Sequence, residues 1–335
     1  MKLCIYTAAT TGYAHALVAQ ARRILAALAL ESRVSEVLFL FVTDVEDAVS
    51  SAAKLYRDAG ISVEVLLTER TGGENYEEDA QLLIASMRQD ASTRALAWGA
   101  DICLSLDSDV LPPPNSLRCM IDMLAFDGGY YSVSFCPYPS QGGGAFLGGR
   151  GTPNNPILPD FAEEEKTVPP KLIARRQKLL DQLKATPSPA DPKDIHKKLM
   201  DIEKQIREIP PSENVFSANG KKWRRRGWFD FCYPAIGRGA VVPVDWIGFG
   251  CTLMSRHALS LCDFTGYDGK GTEDLFINFK RWYPAGLRMA CIPHCPCDHV
   301  IRDKKTGGHV LVATGHAEDE EHLGHLRQWR LPWLH

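Results

Sequence analysis

The opening third of the chain alternates short apolar runs with amphipathic segments, and this alternation narrows the fold more than any other feature. LCIYTA, EVLFLFVTD, ISVEVLLT and DICLSLDSDV read as strands. HALVAQARRILAALAL, DAVSSAAKLYRDAG and EEDAQLLIASMRQDASTRALAWGA lie between them with helical periodicity. Strands that alternate with helices fold as βαβ units around a parallel sheet, an α/β architecture. Ligands of such sheets gather beyond the carboxyl ends of the strands. That rule directs attention to Thr7 and Ala8, to Asp44, and to the stretch Asp107–Asp109.

With 335 residues, the chain is long enough for one large or two modest cores. Hydrophobic residues make up 45%, which excludes disorder as the default. A net charge of −3 excludes a protein that binds polyanions with its whole surface. No apolar run approaches the roughly 20 residues of a membrane-spanning helix, so no stable membrane insertion is expected. The start carries no apolar signal region. Cys4, Cys103, Cys119, Cys136 and Cys251 fall in apolar segments, as reduced, buried cysteines do. A cytoplasmic location follows as an expectation, in the host cytoplasm if the source is viral.

The character changes near residue 137. PYPSQGGGAFLGGRGTPNNP is rich in Gly and Pro and reads as loop, either a lid or a plain connection. Residues 171–185 and 193–208 are charged amphipathic helices separated by the prolines of TPSPADP, a helical hairpin inserted into the main domain. KKWRRRGWFDF follows, basic and aromatic together, and the last hundred residues return to core-like sequence. The expected division is an α/β half over 1–136, an insertion over 137–235, and a second core-forming half over 236–335.

LSLDSDV sets Asp107 and Asp109 on either side of Ser108 at the end of an apolar strand. Two carboxylates at this spacing converge on one cation if the backbone turns there. Mg²⁺ and Mn²⁺ favour such oxygen ligands. A carboxylate-held metal offsets the charge that grows on a leaving diphosphate.

Four motifs in order, LDSDV, WIGFGCTLMSR, GTEDLFINF and CDHV, resemble the GT-A superfamily of nucleotide-sugar glycosyltransferases over about residues 1–136 and 240–300. The resemblance implies a GT-A-like, Rossmann-like mixed sheet, mostly parallel and flanked by helices. It also implies Mn²⁺ or Mg²⁺ as cofactor and a nucleotide-sugar donor, UDP-linked in the common case. In that pattern Asp109 and His299 hold the metal, and Asp107 contacts the metal or the donor. Thr7, Ala8, Asp44 and Ser108 line the donor pocket, and Arg88 or Arg94 faces the donor. Gly248 and Gly250 let the backbone approach a ligand, or else form a bulge. Trp246 stacks on a sugar, or else fills the core. Asp274 is the general base of an inverting transfer, with Glu273 beside it; in a retaining enzyme no such base is needed. Thr272 before this pair is an N-cap candidate, which gives the two acids an alternative role at a helix start.

The acceptor is less constrained. Trp223, Arg224, Arg225, Arg226 and Trp228 combine cations for phosphates with faces for unstacked bases. One candidate is a hydroxylated DNA base, flipped out of the stack as some bacteriophage glycosyltransferases require. A glycan, lipid or protein acceptor is the alternative. Two other classes stand beside transfer: a nucleotidyltransferase, for which TAATTGYAH lacks the phosphate-loop lysine, and a non-catalytic nucleic-acid binder. CIPHCPCDH carries soft ligands that suit zinc, but Cys295 and Cys297 sit closer than usual finger spacing and no second pair follows at such spacing.

Overall fold

The computed structural model describes residues 1–9, 14–68, 76–139, 148–149, 170–184, 192–208, 215–218, 221–224, 241–269, 272–302, 309–313 and 327–330. The strands in chain order begin with β1 (Lys2–Ala9), β2 (Glu36–Thr43), β3 (Ser62–Leu67), β4 (Ile102–Leu106), β5 (Val110–Leu111), β6 (Val133–Phe135) and β7 (Gly148–Gly149). They continue with β8 (Val215–Ala218), β9 (Lys221–Arg224), β10 (Val242–Val244), β11 (Trp246–Ile247), β12 (Cys251–Ser255), β13 (Met289–Cys291), β14 (Asp298–Arg302), β15 (His309–Ala313) and β16 (Arg327–Arg330). The helices are α1 (Ala14–Ala29), α2 (Ser50–Asp58), α3 (Tyr76–Trp98), α4 (Ser116–Ala125), α5 (Pro170–Lys184), α6 (Pro192–Glu208), α7 (Arg256–Ser260) and α8 (Glu273–Ile277).

The main sheet has eight strands in the order β10-β13-β6-β12-β4-β1-β2-β3. β12 and β10 run against the others; every other neighbouring pair is parallel. This is the mixed, mostly parallel, helix-flanked α/β layout expected from the sequence. Strand alternation explains why helices cover both faces. Leu3 and Ile5 of β1, Phe39 and Phe41 of β2, and Leu104 and Leu106 of β4 enter one core cluster with α1, α2 and α4. Cys4, Tyr6, Leu38, Leu40 and Cys103, one residue out of phase, enter the opposite cluster with α3, α7 and α8. A period of two with both phases apolar leaves a sheet no wet face. Phe39 stacks on Tyr56 of α2 with centroids 4.1 Å apart, fixing that helix on the sheet. Gly60 and Gly99 follow α2 and α3 at φ 78° and 86°, the left-handed conformation that ends a helix without a Cβ penalty.

A smaller sheet, β16-β15-β14-β5, lies beside the end of β4. Gly151–Arg225 forms a second compact unit, apart from Met1–Arg150 with Arg226–His335. Within it α5 packs on α6, where Ile195 and Ile202 are buried two turns apart. Lys221–Arg224, part of the basic-aromatic stretch, is a strand: β9 pairs antiparallel with β8 and sets Trp223 opposite Phe216. No helix among the described residues is long and apolar enough to cross a membrane.

Candidate active site at the strand ends

Beyond β4 the chain turns sharply. The Asp107 N–H donates to Gly250 O at 2.9 Å, and the Val110 N–H closes back on Asp107 O at 3.1 Å, with Ser108 buried inside the turn. Gln20 of α1 holds this shape. Its Nε2 donates to Asp107 O at 2.6 Å and to Val110 O at 2.9 Å, while its Oε1 accepts from Thr7 Oγ1 at 3.3 Å. Gln20 is 1% exposed, so these bonds are shielded from water. The turn sends the two aspartates to different partners.

Asp107 goes to Arg88. The buried guanidinium of this α3 residue donates through Nη2 to Asp107 Oδ1 at 2.7 Å, through Nη1 to Ser105 Oγ at 2.8 Å, and through Nε to Glu273 Oε1 at 2.9 Å. Phe249 lies 5.2 Å from it on a ring face. Burial alone would lower the Arg88 pKa, but Asp107 and Glu273 outweigh it and keep the group charged. One cation thus ties β4, the turn and α8 together.

Asp109 goes to His299. Antiparallel pairing of β14 with β5 sets His299 opposite Val110, next to Asp109. The ring contacts Pro139 O through Nδ1 at 2.6 Å and Asp109 Oδ2 through Nε2 at 3.2 Å. A carbonyl only accepts, so Nδ1 carries a proton and Nε2 is the nitrogen turned to the carboxylate. Burial would lower the imidazole pKa, yet the Asp109 carboxylate outweighs it and the net shift is upward. Arg23 supports β14 from α1: Nη2 pairs with the buried Asp298 at 2.8 Å, and Nη1 donates to Leu111 O at 3.1 Å. Asp298, the neighbour of His299 in CDHV, is therefore held in an ion pair.

Glu273 and Asp274 open α8, which continues as a π-helix over Asn278–Trp282. Thr272 occupies the N-cap position without a side-chain capping bond. Asn278, fully buried, clamps this segment to β11: it accepts from Ile247 N at 3.2 Å and donates to Ile247 O at 2.8 Å and Asp274 O at 2.6 Å. Burial raises the Glu273 carboxyl, Arg88 pulls it back, and Asp274 and Asp107 raise it again, leaving it at about 7. Burial likewise raises Asp274. Tyr138 is common ground for the cluster: it feels Asp107, Asp274, Arg88 and Asp109, meets His299 edge-on at 5.4 Å, and accepts from Gly250 N at 3.1 Å.

Tyr138, Gln20, Arg23 and Asn278 were not anticipated from the sequence. The only available signal was at Gln20 and Arg23, polar residues on a helix stripe otherwise made of Leu17, Ala21 and Ile24.

Other expected residues lie elsewhere. Arg94 turns its fork to Glu64 of β3, with Nε 2.6 Å from Oε2. Thr7 is fully buried against Gln20, and Ala8 is partly buried against the core. Trp246 is 2% exposed, a core side chain with no face for a sugar. Gly250 does permit a close approach, but by Tyr138: a Cβ there would stand 2.3 Å from the ring. Gly248 accepts from Thr252 Oγ1 at 2.9 Å within the same buried segment. Asp44 follows β2 half-buried, and its Oδ1 is buried with no hydrogen-bond partner. Arg225, Arg226, Trp228 and most of the Gly/Pro-rich stretch lie outside the described residues.

No protein-family model and no curated protein matches the chain. Among solved structures it is similar to a mannosyltransferase from Pyrobaculum calidifontis in complex with GDP-Man and Mn²⁺, at 14% identity and TM-score 0.30, over 40% of this chain and 34% of that one. It is also similar to a CMP:2-keto-3-deoxy-manno-octonic acid synthetase complexed with CTP, at 10% identity and TM-score 0.35, over 87% and 89% of the two chains. A third is glucosyl-3-phosphoglycerate synthase from Mycobacterium tuberculosis, at 16% identity and TM-score 0.25, over 41% and 44%. The chain spans only about a third of that mannosyltransferase's length.

Proposed function

We propose that the chain is a divalent-metal-dependent glycosyltransferase that moves a sugar from a nucleotide-sugar donor to an acceptor hydroxyl. The observation that carries this reading is the Asp109–His299 pair. With Nδ1–H donated to Pro139, the Nε2 lone pair and a carboxylate oxygen face each other at 3.2 Å. Two acceptors so placed require a cation between them, a proton or a metal. The surrounding charge points the same way: Asp107, Asp109 and Asp274 all act on Tyr138, and of the acids here Arg88 pairs with Asp107 and Glu273. A carboxylate with an imidazole suits Mn²⁺ better than Mg²⁺, which prefers oxygen alone.

Asp109 and His299 would hold the ion, with Asp107 close by. When bound, it would offset the charge that develops on the donor diphosphate as the glycosidic bond breaks. Arg88 holds Asp107 and Glu273 in place, so that Glu273 positions rather than reacts. Asp274, whose carboxyl burial pushes above its ordinary value, accepts the proton of the acceptor hydroxyl in an inverting transfer. Asp44, with its unsatisfied oxygen beyond β2, binds a donor hydroxyl or base.

The test is nucleotide release from a panel of UDP-, GDP- and CMP-sugars, with Mn²⁺ and with EDTA, adding glycans and hydroxymethylated DNA as acceptors. Release of a nucleoside phosphate from one donor with Mn²⁺ alone supports the reading. Pyrophosphate release from a nucleoside triphosphate and a free sugar would replace it with nucleotidyl transfer. Asp274→Asn is expected to lower kcat about 10²–10⁴-fold while leaving donor affinity within a few-fold. A retained kcat would remove Asp274 as the base.

A further inference from the structure

Outside the active site the fold gathers a second set of ligands that the sequence scatters. Cys119 from α4 and His294 and Cys295 from the turn between β13 and β14 offer ligand atoms all within 4.8 Å of one another. A fully buried trio, Cys136, Cys251 and Cys297, lies beside them with the same mutual spacing. Cys136 hydrogen-bonds Cys295 and joins the two groups. None of these cysteines is in a disulfide.

Apolar packing accounts for buried thiols but not for this imidazole. Nδ1 of His294 is buried with no hydrogen-bond partner, a costly arrangement for a core filler. The turn that carries it is pre-shaped: Pro293 and Pro296 flank the pair, Cys295 N donates to Ile292 O at 3.1 Å, and Cys297 N donates to Pro137 O at 2.8 Å. Cys119 and His294 are only partly buried, which leaves an entry path that the inner trio lacks.

We infer that Cys119, His294 and Cys295 bind one Zn²⁺ per chain, with water in the fourth position. Soft sulfur with imidazole nitrogen is zinc chemistry, distinct from the oxygen-rich pair at Asp109 and His299. Two thiolates and a neutral imidazole balance the dication, whereas three thiolates at the inner trio would leave surplus negative charge in the sheet core. Side-chain hydrogen bonds link both sets, Cys119 to Cys295 and His294 in one and Cys136 to Cys251 and Cys297 in the other. The ion would tie α4 to the turn that delivers Asp298 and His299 to the active site. This assignment holds whether or not the chain transfers sugars.

The experiment uses the full chain, purified under reducing conditions without chelator and loaded with zinc or cobalt. Expected are one zinc per chain by mass spectrometry of the metal, and for the cobalt form a sulfur-to-cobalt charge-transfer band with the intense visible bands of a tetrahedral site. Cys295→Ser and His294→Ala should lose that zinc; Asp109→Ala and Cys251→Ser should keep it. Wild-type protein that takes up no zinc and shows no charge-transfer band would overturn the assignment, without any need for a variant to fold. So would zinc lost in Cys251→Ser but kept in Cys295→Ser.

Discussion

Arg88→Met is expected to cost about 3–5 kcal/mol of folding stability near pH 8, because it leaves buried carboxylate without its cation. Three acceptors lose a donor at once: Ser105, Asp107 and Glu273. The cost should shrink in acid, and the sign follows from Glu273. Its carboxyl stands at about 7 in the fold against an ordinary 4.5. Between those values the folded chain holds a proton that the unfolded chain has released, so the contribution of Glu273 to stability is complete below 4.5 and is lost as pH rises through 7. Removing Arg88 removes the largest influence that lowers this group, so the loss continues to higher pH in the variant. Urea unfolding of wild type and Arg88→Met from pH 5 to 8.5 measures both effects. A difference below about 1 kcal/mol at every pH would mean that the guanidinium is not what holds β4 to α8.

Asp109→Ala should lower nucleotide release about 10³-fold or more, the several kcal/mol expected when a metal no longer offsets leaving-group charge. Folding should suffer much less, because the Asp109 side chain is 21% exposed and meets one histidine nitrogen, Nε2 of His299. The main-chain bond from Val300 N to Asp109 O, at 2.8 Å, survives the substitution and keeps β14 in register. His299→Ala should follow in activity with a weaker loss, since the charged carboxylate ligand remains. Manganese binding followed by electron paramagnetic resonance separates this from a folding defect: the free-ion signal should fall on adding wild type and stay unchanged with Asp109→Ala. Equal manganese binding by the variant would sink the assignment of this pair, even if activity fell.

The layering of the fold was legible because β1, β2 and β4 carry two apolar phases, and a sheet centre with no polar phase must be covered on both faces. Gly60 and Gly99 end helices for an equally local reason, since only backbone without Cβ turns left-handed cheaply. The position of Asp107 and Asp109 after an apolar strand was legible in the same way. The choice between Arg88 and Arg94 was not. Six residues rotate a helix by about 240°, so the two cannot face the same way. Apolar residues are spread around α3, and nothing local says which side meets the sheet. Packing against β4 and α8 decided it, turning Arg88 inward to Asp107 and Glu273 and leaving Arg94 to Glu64. Trp246 is a similar case, because an aromatic residue serves a core or a sugar equally well until its burial is known.

Local chemistry therefore determined what the segments are: strands, helices, their ends, and acids waiting at a strand terminus. Which side chains become neighbours is a long-range property, set by strand order and register. Insertion of β12 between β4 and β6, and the pairing of β14 with β5, bring His299 to Asp109 and Cys119 to Cys295. Those encounters create the unshielded lone pairs, the buried charge and the soft-ligand cluster from which the chemistry of this protein follows, and only the tertiary structure could decide them.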